Sequence, residues 1–293
     1  MIEVPEALAD SQHKYGGKAG RAFIEVLPQR AAEFLERWQL RVTGPAMHGM
    51  AALVLPVERP DGTSAALKLQ ALDEESEGEP VALRIWDGDG AVRLLDHDAD
   101  TNTLLLERLD SGRPLSALAD QREAVRILAE LLARLTAGPA PEGMRTLKDI
   151  AAGMLADVPD AVQPLRDDRR RVLLDCAAAV REVVDESGDR LLHWDLHYDN
   201  VLGAEREDWL VIDPKPLAGD PGFDLMPALD NLFDPAETQW RFDLLTETLG
   251  LDRERARAWV LGRVLQNSLW SIEDGESDLE DEQLSIARTL LAR

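Results

Sequence analysis

Two short apolar runs, each delivering a carboxylate into a loop, set the strongest limit on what this chain can become. The first, Leu191-Leu192-His193, leads into Trp194 and Asp195; Asn200 follows five residues later, and the second run, Trp209 to Ile212, ends on Asp213. This order places one acid to take a proton, while an amide oxygen and a second acid can share a metal ion. A phosphoryl-transfer centre needs both, because nucleotide phosphates are handled with a divalent cation and the acceptor hydroxyl needs a base. Asp and Asn are also common turn residues, so an isolated Asp-x-x-x-x-Asn would mean only a loop. The conjunction with two strand-like runs, and with His193 two positions ahead of Asp195, carries the reading.

The continuation Ile212-Asp213-Pro214-Lys215-Pro216-Leu217-Ala218-Gly219-Asp220-Pro221-Gly222-Phe223-Asp224-Leu225 adds a second signature. Together the two stretches resemble the aminoglycoside phosphotransferase branch of the kinase-like fold, and within it the streptomycin 6-kinase and hydroxyurea phosphotransferase group. Protein kinases carry Asp-Phe-Gly where this chain has Asp213-Pro214-Lys215, which points away from a protein kinase. The resemblance runs from about Val42 to Ser271 and is densest between His193 and Asp224. It implies an α+β, two-lobed kinase-like fold: a β-rich nucleotide-binding lobe over residues 1–110 and a larger, mainly helical catalytic and acceptor-binding lobe over 111–293.

The pattern of the chain suits that division. Ala51–Val57, Ser64–Leu69 and Thr103–Glu107 read as strands bounded by Gly, Pro and Asp turns, so the chain up to Asp110 looks strand-rich. Beyond the Ser111-Gly112-Arg113-Pro114 connection, helical periodicity dominates. Val125, Leu128, Leu132 and Leu135 form a helical stripe that Asp120 can cap and Gly138-Pro139 ends. Further helices are expected around Arg170–Glu186, Thr238–Leu249 and Arg253–Glu273.

Only five of the 32 basic residues are lysines, so Lys68 inside a strand is unusual for this chain. An inward strand lysine can pair the α- and β-phosphates of ATP while a helix glutamate holds its ammonium; on an edge strand the same residue would simply face solvent. Glu74, Glu75, Glu77 and Glu79 all precede the next helix. The resemblance selects Glu79, with Glu75 as the runner-up. It also makes the Thr43–Met50 segment, with Gly44, His48 and Gly49, a phosphate-binding turn, although an ordinary hairpin turn would read the same way. The strand end Leu106–Leu109, with Glu107 and Leu109, is by the same resemblance the adenine-contacting hinge.

The expected mechanism follows. Asp195 accepts the acceptor's proton as the γ-phosphoryl group leaves ATP, Asn200 and Asp213 hold Mg²⁺, and Lys68 fixes the remaining phosphates. His193 packs beneath the loop and donates a bond that shapes it; His197 contacts phosphate or Asp213, or packs. Lys215 brings a second positive charge, and Asp224 either accepts backbone bonds from the loop or caps the next helix. For the acceptor, Asp199, Asp230, Trp270, Glu273 and Asp274, with Trp240, offer carboxylates and flat surfaces suited to guanidinium groups. An ordinary amphipathic helix end also accounts for Trp270, Glu273 and Asp274, so these residues do not by themselves imply a cationic acceptor. Streptomycin and hydroxyurea are therefore both possible acceptors. A kinase of another hydroxylated metabolite, or a non-catalytic nucleotide-binding protein, is the alternative.

A formal charge of −24 disfavours nucleic acid as a partner, and the acid-rich run Glu273–Glu282 reads as a solvated segment. With no apolar run of membrane length and no basic-then-apolar start, the expected location is cytoplasmic, away from membranes. Cys176, the only cysteine, excludes an internal disulfide and a cysteine metal cluster. A monomer is the expectation, with a dimer left open.

Overall fold

The computed structural model describes residues 2–276 and 279–292. They divide into two compact units, one comprising the chain through Ser111 with Gly203–Leu210, the other Gly112–Leu202 with the chain from Val211 onward. In the first unit helices α1 (Glu6–Lys14) and α2 (Gly17–Arg37) precede a sheet built from β1 (Arg41–Val42), β2 (Met47–His48), β3 (Ala52–Glu58), β4 (Ser64–Gln70), β5 (Leu94–Asp98) and β6 (Thr103–Glu107). Helix α3 (Glu79–Trp86) lies between β4 and β5 in the chain. The spatial order is β1-β3-β4-β6-β5, with β2 also pairing β3, and every pairing is antiparallel.

The strand-rich reading of the first 110 residues therefore omitted two helices. Phe23, Leu27, Ala31 and Phe34 recur on one face of α2 and are buried with Leu53, Leu55, Leu67 and Leu69 of the sheet. Each large side chain so removed from water contributes about 1.5–3 kcal/mol, so this helix–sheet layer stabilises the unit substantially. Between β3 and β6, β4 is an interior strand, and Lys68 on it is only 4% exposed. The edge-strand alternative for Lys68 is excluded by that position.

In the second unit α4 (Gln121–Leu135) starts at Asp120, whose carboxylate accepts from the Arg122 and Glu123 amides. It buries the expected stripe of Val125, Leu128, Leu132 and Leu135. Helices α5 (Leu147–Ala161), α6 (Asp167–Val183), α7 (Met226–Asp230), α8 (Thr238–Leu249), α9 (Arg253–Glu273) and α10 (Asp281–Leu291) complete the helical part. The acid-rich run thus holds the end of α9 and the start of α10; its residues 277 and 278 lie outside the described set.

Short strands β7 (Asp110–Pro114), β9 (Val201–Gly203) and β10 (Trp209–Val211) fall where the chain passes from one unit to the other. Strand β8 (Arg190–Leu192) pairs antiparallel with β11 (Leu217–Gly219), Leu192 opposite Leu217. This ladder carries the segment that begins at His193 out of a core made of Leu147, Met154, Val180, Phe223 and Trp259. Gly222 allows the chain after β11 to touch α9: a Cβ there would sit 2.7 Å from Ala256 Cα.

Candidate active site

In the first unit the Lys68 ammonium lies 2.7 Å from both carboxylate oxygens of Glu79, at the first turn of α3. Gln70, two residues along β4 on the same face, donates to Glu79 Oε2 at 2.6 Å. Glu79 is 1% exposed. Burying such a pair costs solvation, which the Gln70 bond offsets by satisfying a further lone pair. Gln70 was missed by the sequence reading; its place two positions after Lys68 was the available signal.

The other residues expected in this unit are placed as follows. His48 and Gly49 lie in the β2–β3 turn, where the Gly49 amide donates to Ala52 O at 3.0 Å and the His48 ring bonds Gly49 O at 3.1 Å. Gly44 is set apart, against Pro56 of β3. Leu109 is buried. The Glu107 carboxylate accepts from Arg206 Nε at 2.9 Å and from the Arg93 amide at 3.1 Å. Arg206 also donates to the carbonyls of Gly88 and Ala91 at 2.6 and 2.7 Å. Glu107 is thus engaged in bracing its own unit, and Arg206 had no signal in the sequence.

In the second unit a buried hydrogen-bond frame shapes the loop after β8. Asp224, fully buried, accepts from the His193 amide at 2.8 Å and the Trp194 amide at 2.6 Å. Burial pushes its carboxyl up to about 7 even though the two N–H bonds favour the ionised form. These bonds hold Trp194 in the left-handed region (φ 68°), a conformation costing about 1–2 kcal/mol outside glycine. Asp213 is held the same way (φ 60°). Trp194 immediately precedes Asp195, and Asp213 is itself a reversal, so each turn fixes the direction in which a carboxylate leaves the backbone.

His193 ties the two runs together. Its Nε2 donates to Ile212 O at 3.0 Å, and its Nδ1 accepts from the Asp195 amide at 3.2 Å. Only the neutral Nε2–H tautomer satisfies both partners, and burial lowers its pKa to about 4. The His193 carbonyl in turn accepts from the Lys215 amide at 3.0 Å. Asn200, 8% exposed, donates its side-chain nitrogen to Asp195 O at 2.9 Å, which turns the amide oxygen away as an acceptor. Its own carbonyl accepts from the Ile212 amide at 2.9 Å, adjoining Asp213. Asp195 has its pKa raised, chiefly by burial, with His197, Arg263 and Lys215 opposing the rise.

Asp195, His197, Asp230, Asn231, Arg263 and Asn267 line a cavity of about 200 Å³. Arg263, from α9, is largely buried and packs its guanidinium 4.8 Å from the Trp194 ring centre and 5.5 Å from that of Trp270. Asp230 accepts from Gln283 at 2.9 Å and has its pKa raised to about 6, chiefly by burial. Asp199, Trp270, Glu273 and Asp274 are not in the lining. Asp199 turns to Ser116 and Asn231 instead, at 2.5 and 3.1 Å. Arg263, Asn231 and Asn267 were not anticipated, because one turn of an amphipathic helix does not declare which of its polar groups faces a cavity.

The arrangement, a sheet unit with a buried Lys–Glu pair and a helical unit with a framed Asp–Asn–Asp loop, is that of the kinase-like fold. The solved choline/ethanolamine kinase family protein of Mesorhizobium loti matches it with a TM-score of 0.66 at 16% identity, over 91% of this chain and 95% of that one. The family model described as aminoglycoside/hydroxyurea antibiotic resistance kinase matches residues 37–275. The chain belongs to that family, and is a phosphotransferase. It is 64% identical to the hydroxyurea phosphotransferase of Kitasatospora aureofaciens, over 100% of this chain and 87% of that protein. It is 54% identical to the streptomycin 6-kinase of Streptomyces glaucescens, over 99% of this chain and 97% of that protein. Among the described residues no helix is long and apolar enough to cross a membrane.

Proposed function

We propose that the protein transfers the γ-phosphoryl group of ATP, with Mg²⁺, to a hydroxyl of a small antibiotic-type acceptor in the cytoplasm, and that hydroxyurea suits its acceptor cavity better than streptomycin. The observation that carries this reading is that Asp195, its pKa raised by burial, lines a cavity of about 200 Å³. That volume lies below the roughly 300–1,000 Å³ of pockets that enclose drug-sized ligands. A compact acceptor would fit within that volume, whereas a three-ring aminoglycoside would extend well outside it.

Asp195 takes the acceptor proton. Its raised pKa brings the carboxylate nearer the operating pH, where a general base works best. His193 and Asp224 keep the carboxylate in place through the loop backbone. Lys68, locked by Glu79 and Gln70, holds the α- and β-phosphates, and the β2–β3 turn with His48 and Gly49 receives phosphate oxygens. Asn200 and Asp213 suit Mg²⁺: both present hard oxygen donors, and the Asn200 nitrogen is already committed to Asp195 O. Mg²⁺ commonly takes one or two protein oxygens and keeps waters and substrate phosphates as its other ligands. Bound there, it would neutralise charge on the transferring phosphates.

The test is Mg²⁺-ATP-dependent phosphorylation across hydroxyurea, streptomycin, other aminoglycosides and simple hydroxylated metabolites. Transfer to hydroxyurea with a higher kcat/KM than to streptomycin supports the reading. Transfer to streptomycin alone contradicts the cavity argument, and transfer to neither contradicts the acceptor class.

A further inference from the structure

Helix α1 and all of α2 but its last residue, Arg37, lie ahead of the residues matched by the family model, yet α1 reaches the β2–β3 turn. Ser11 Oγ and Gln12 Nε2, neighbours at the end of α1, both donate to one acceptor, the Met50 carbonyl, at 3.0 and 3.2 Å. Gln12 is 8% exposed although it is polar. Its surroundings are built for it: a Cβ on Gly16 would lie 2.8 Å from Gln12 Oε1, and one on Gly20 would lie 2.9 Å from the same atom and 2.6 Å from Gln12 O. The two glycines of the α1–α2 corner thus let that side chain pass between the helices and emerge at Met50.

A trans peptide sets its N–H opposite its C=O. Drawing Met50 O onto α1 therefore points the Ala51 N–H away from the helix. The His48 ring, bonded to Gly49 O at 3.1 Å, fixes the Met50 N–H in the same manner. Two successive peptide planes at the tip of the turn are thus oriented by side-chain hydrogen bonds, one from β2 and one from α1. A turn whose amides are to cradle phosphate needs such orientation before the ligand arrives, since amides that must be ordered on binding cost affinity.

We infer that Ser11 and Gln12 are positioning residues for the nucleotide: through Met50 O the N-terminal helix pair presets the β2–β3 turn amides for phosphate. The inference rests on the reading of that turn as part of the nucleotide site. Nothing in it involves the acceptor or the base.

The experiment uses the full-length chain with Ser11→Ala/Gln12→Glu. Glutamate keeps the size that fits against Gly16 and Gly20 but replaces the donor with an acceptor; Ser11→Thr, which retains a hydroxyl, serves as the conservative control. Hydrogen–deuterium exchange of peptides covering residues 47–52 and steady-state kinetics with Mg²⁺-ATP are measured together. Expected are faster exchange in the turn and a nucleotide KM raised about fivefold to tenfold, the scale of two lost hydrogen bonds. The acceptor KM and kcat stay within about twofold, and the control matches the parent protein. Unchanged exchange would overturn the tether itself. Faster exchange with an unchanged nucleotide KM would overturn the phosphate role of the turn, while the phosphotransferase reading would stand on the parent protein's activity.

Discussion

Acidification should selectively weaken the frame around Asp195, and His193 is the reason. In the folded chain its ring is buried and neutral, with a pKa lowered to about 4 against 6.5 for the free side chain. Between those values the unfolded chain binds a proton that the native chain refuses, so stability falls as pH falls. Below about pH 4 no further loss accrues from this group. Linkage gives a loss of about 2 kcal/mol between pH 7 and 5 and about 3 kcal/mol by pH 4. The geometry gives the same sign, since a proton on Nδ1 would break the bond from the Asp195 amide, which that nitrogen accepts at 3.2 Å. Asp224 and Asp230, whose carboxyls are raised to about 7 and about 6, act oppositely, contributing stability in acid that is lost as pH rises. The assay must therefore isolate one group. Urea unfolding of the parent chain and of His193→Gln, which keeps a donor for Ile212 O, should be followed from pH 7 to 4 by tryptophan fluorescence. The difference in stability between the two should shrink by about 2 kcal/mol on going from pH 7 to 5. A difference independent of pH would refute the neutral, doubly bonded His193.

Three further outcomes follow from the same frame and its counterpart in the first unit. Asp224→Asn should reduce stability by about 1–3 kcal/mol, because the amide cannot accept from both the His193 and Trp194 N–H groups; denaturant titration measures the loss, and kcat should fall while the nucleotide KM holds. Lys68→Ala leaves Glu79 buried without its ammonium partner, so a loss of about 3–5 kcal/mol and a raised nucleotide KM are expected; Glu79→Gln, which removes the charge, should recover part of the stability but not the KM. Arg206→Ala removes donors to Glu107, Gly88 O and Ala91 O, and a stability loss of about 2 kcal/mol is expected with kcat unchanged. A fall in kcat for Arg206→Ala at full occupancy would show that Glu107 does more than brace the sheet unit.

The sequence was most legible where chemistry and periodicity coincide. Asp195, Asn200 and Asp213 lie at strand ends, and the local alternation of apolar runs and turns is enough to bring them together. Helices α8 and α9 start and stop at the residues expected, α9 because Asp252 caps it by accepting from the Arg255 amide. Helices α1 and α2 were missed because neither starts with a capping side chain and Pro28 interrupts the pattern of α2. Pro159 similarly masks α5, and the acid-rich run masks the start of α10. The cavity was legible only in part. Of the acceptor candidates, Asp230 lines the cavity, while Asp199, one residue before Asn200, accepts from Ser116. Within a one-turn helix at residues 198–200, one position changes the direction of a side chain by about 100° or more, and residue spacing alone does not set that angle. Arg263, central to the cavity and to the Trp194–Trp270 aromatic group, is one of 11 buried positions along α9, so its side chain reads from sequence as ordinary packing.

The most direct test of the central claim is the single-turnover rate of phosphoryl transfer from Mg²⁺-ATP to hydroxyurea by the parent protein and by Asp195→Asn, with the nucleotide Kd measured for both. If Asp195 is the base, the rate falls by about 10³-fold or more while the Kd stays within about twofold, because the lost interaction belongs to the transition state. A variant that transfers phosphate at near the parent rate, or one whose loss is entirely in nucleotide binding, would contradict the account.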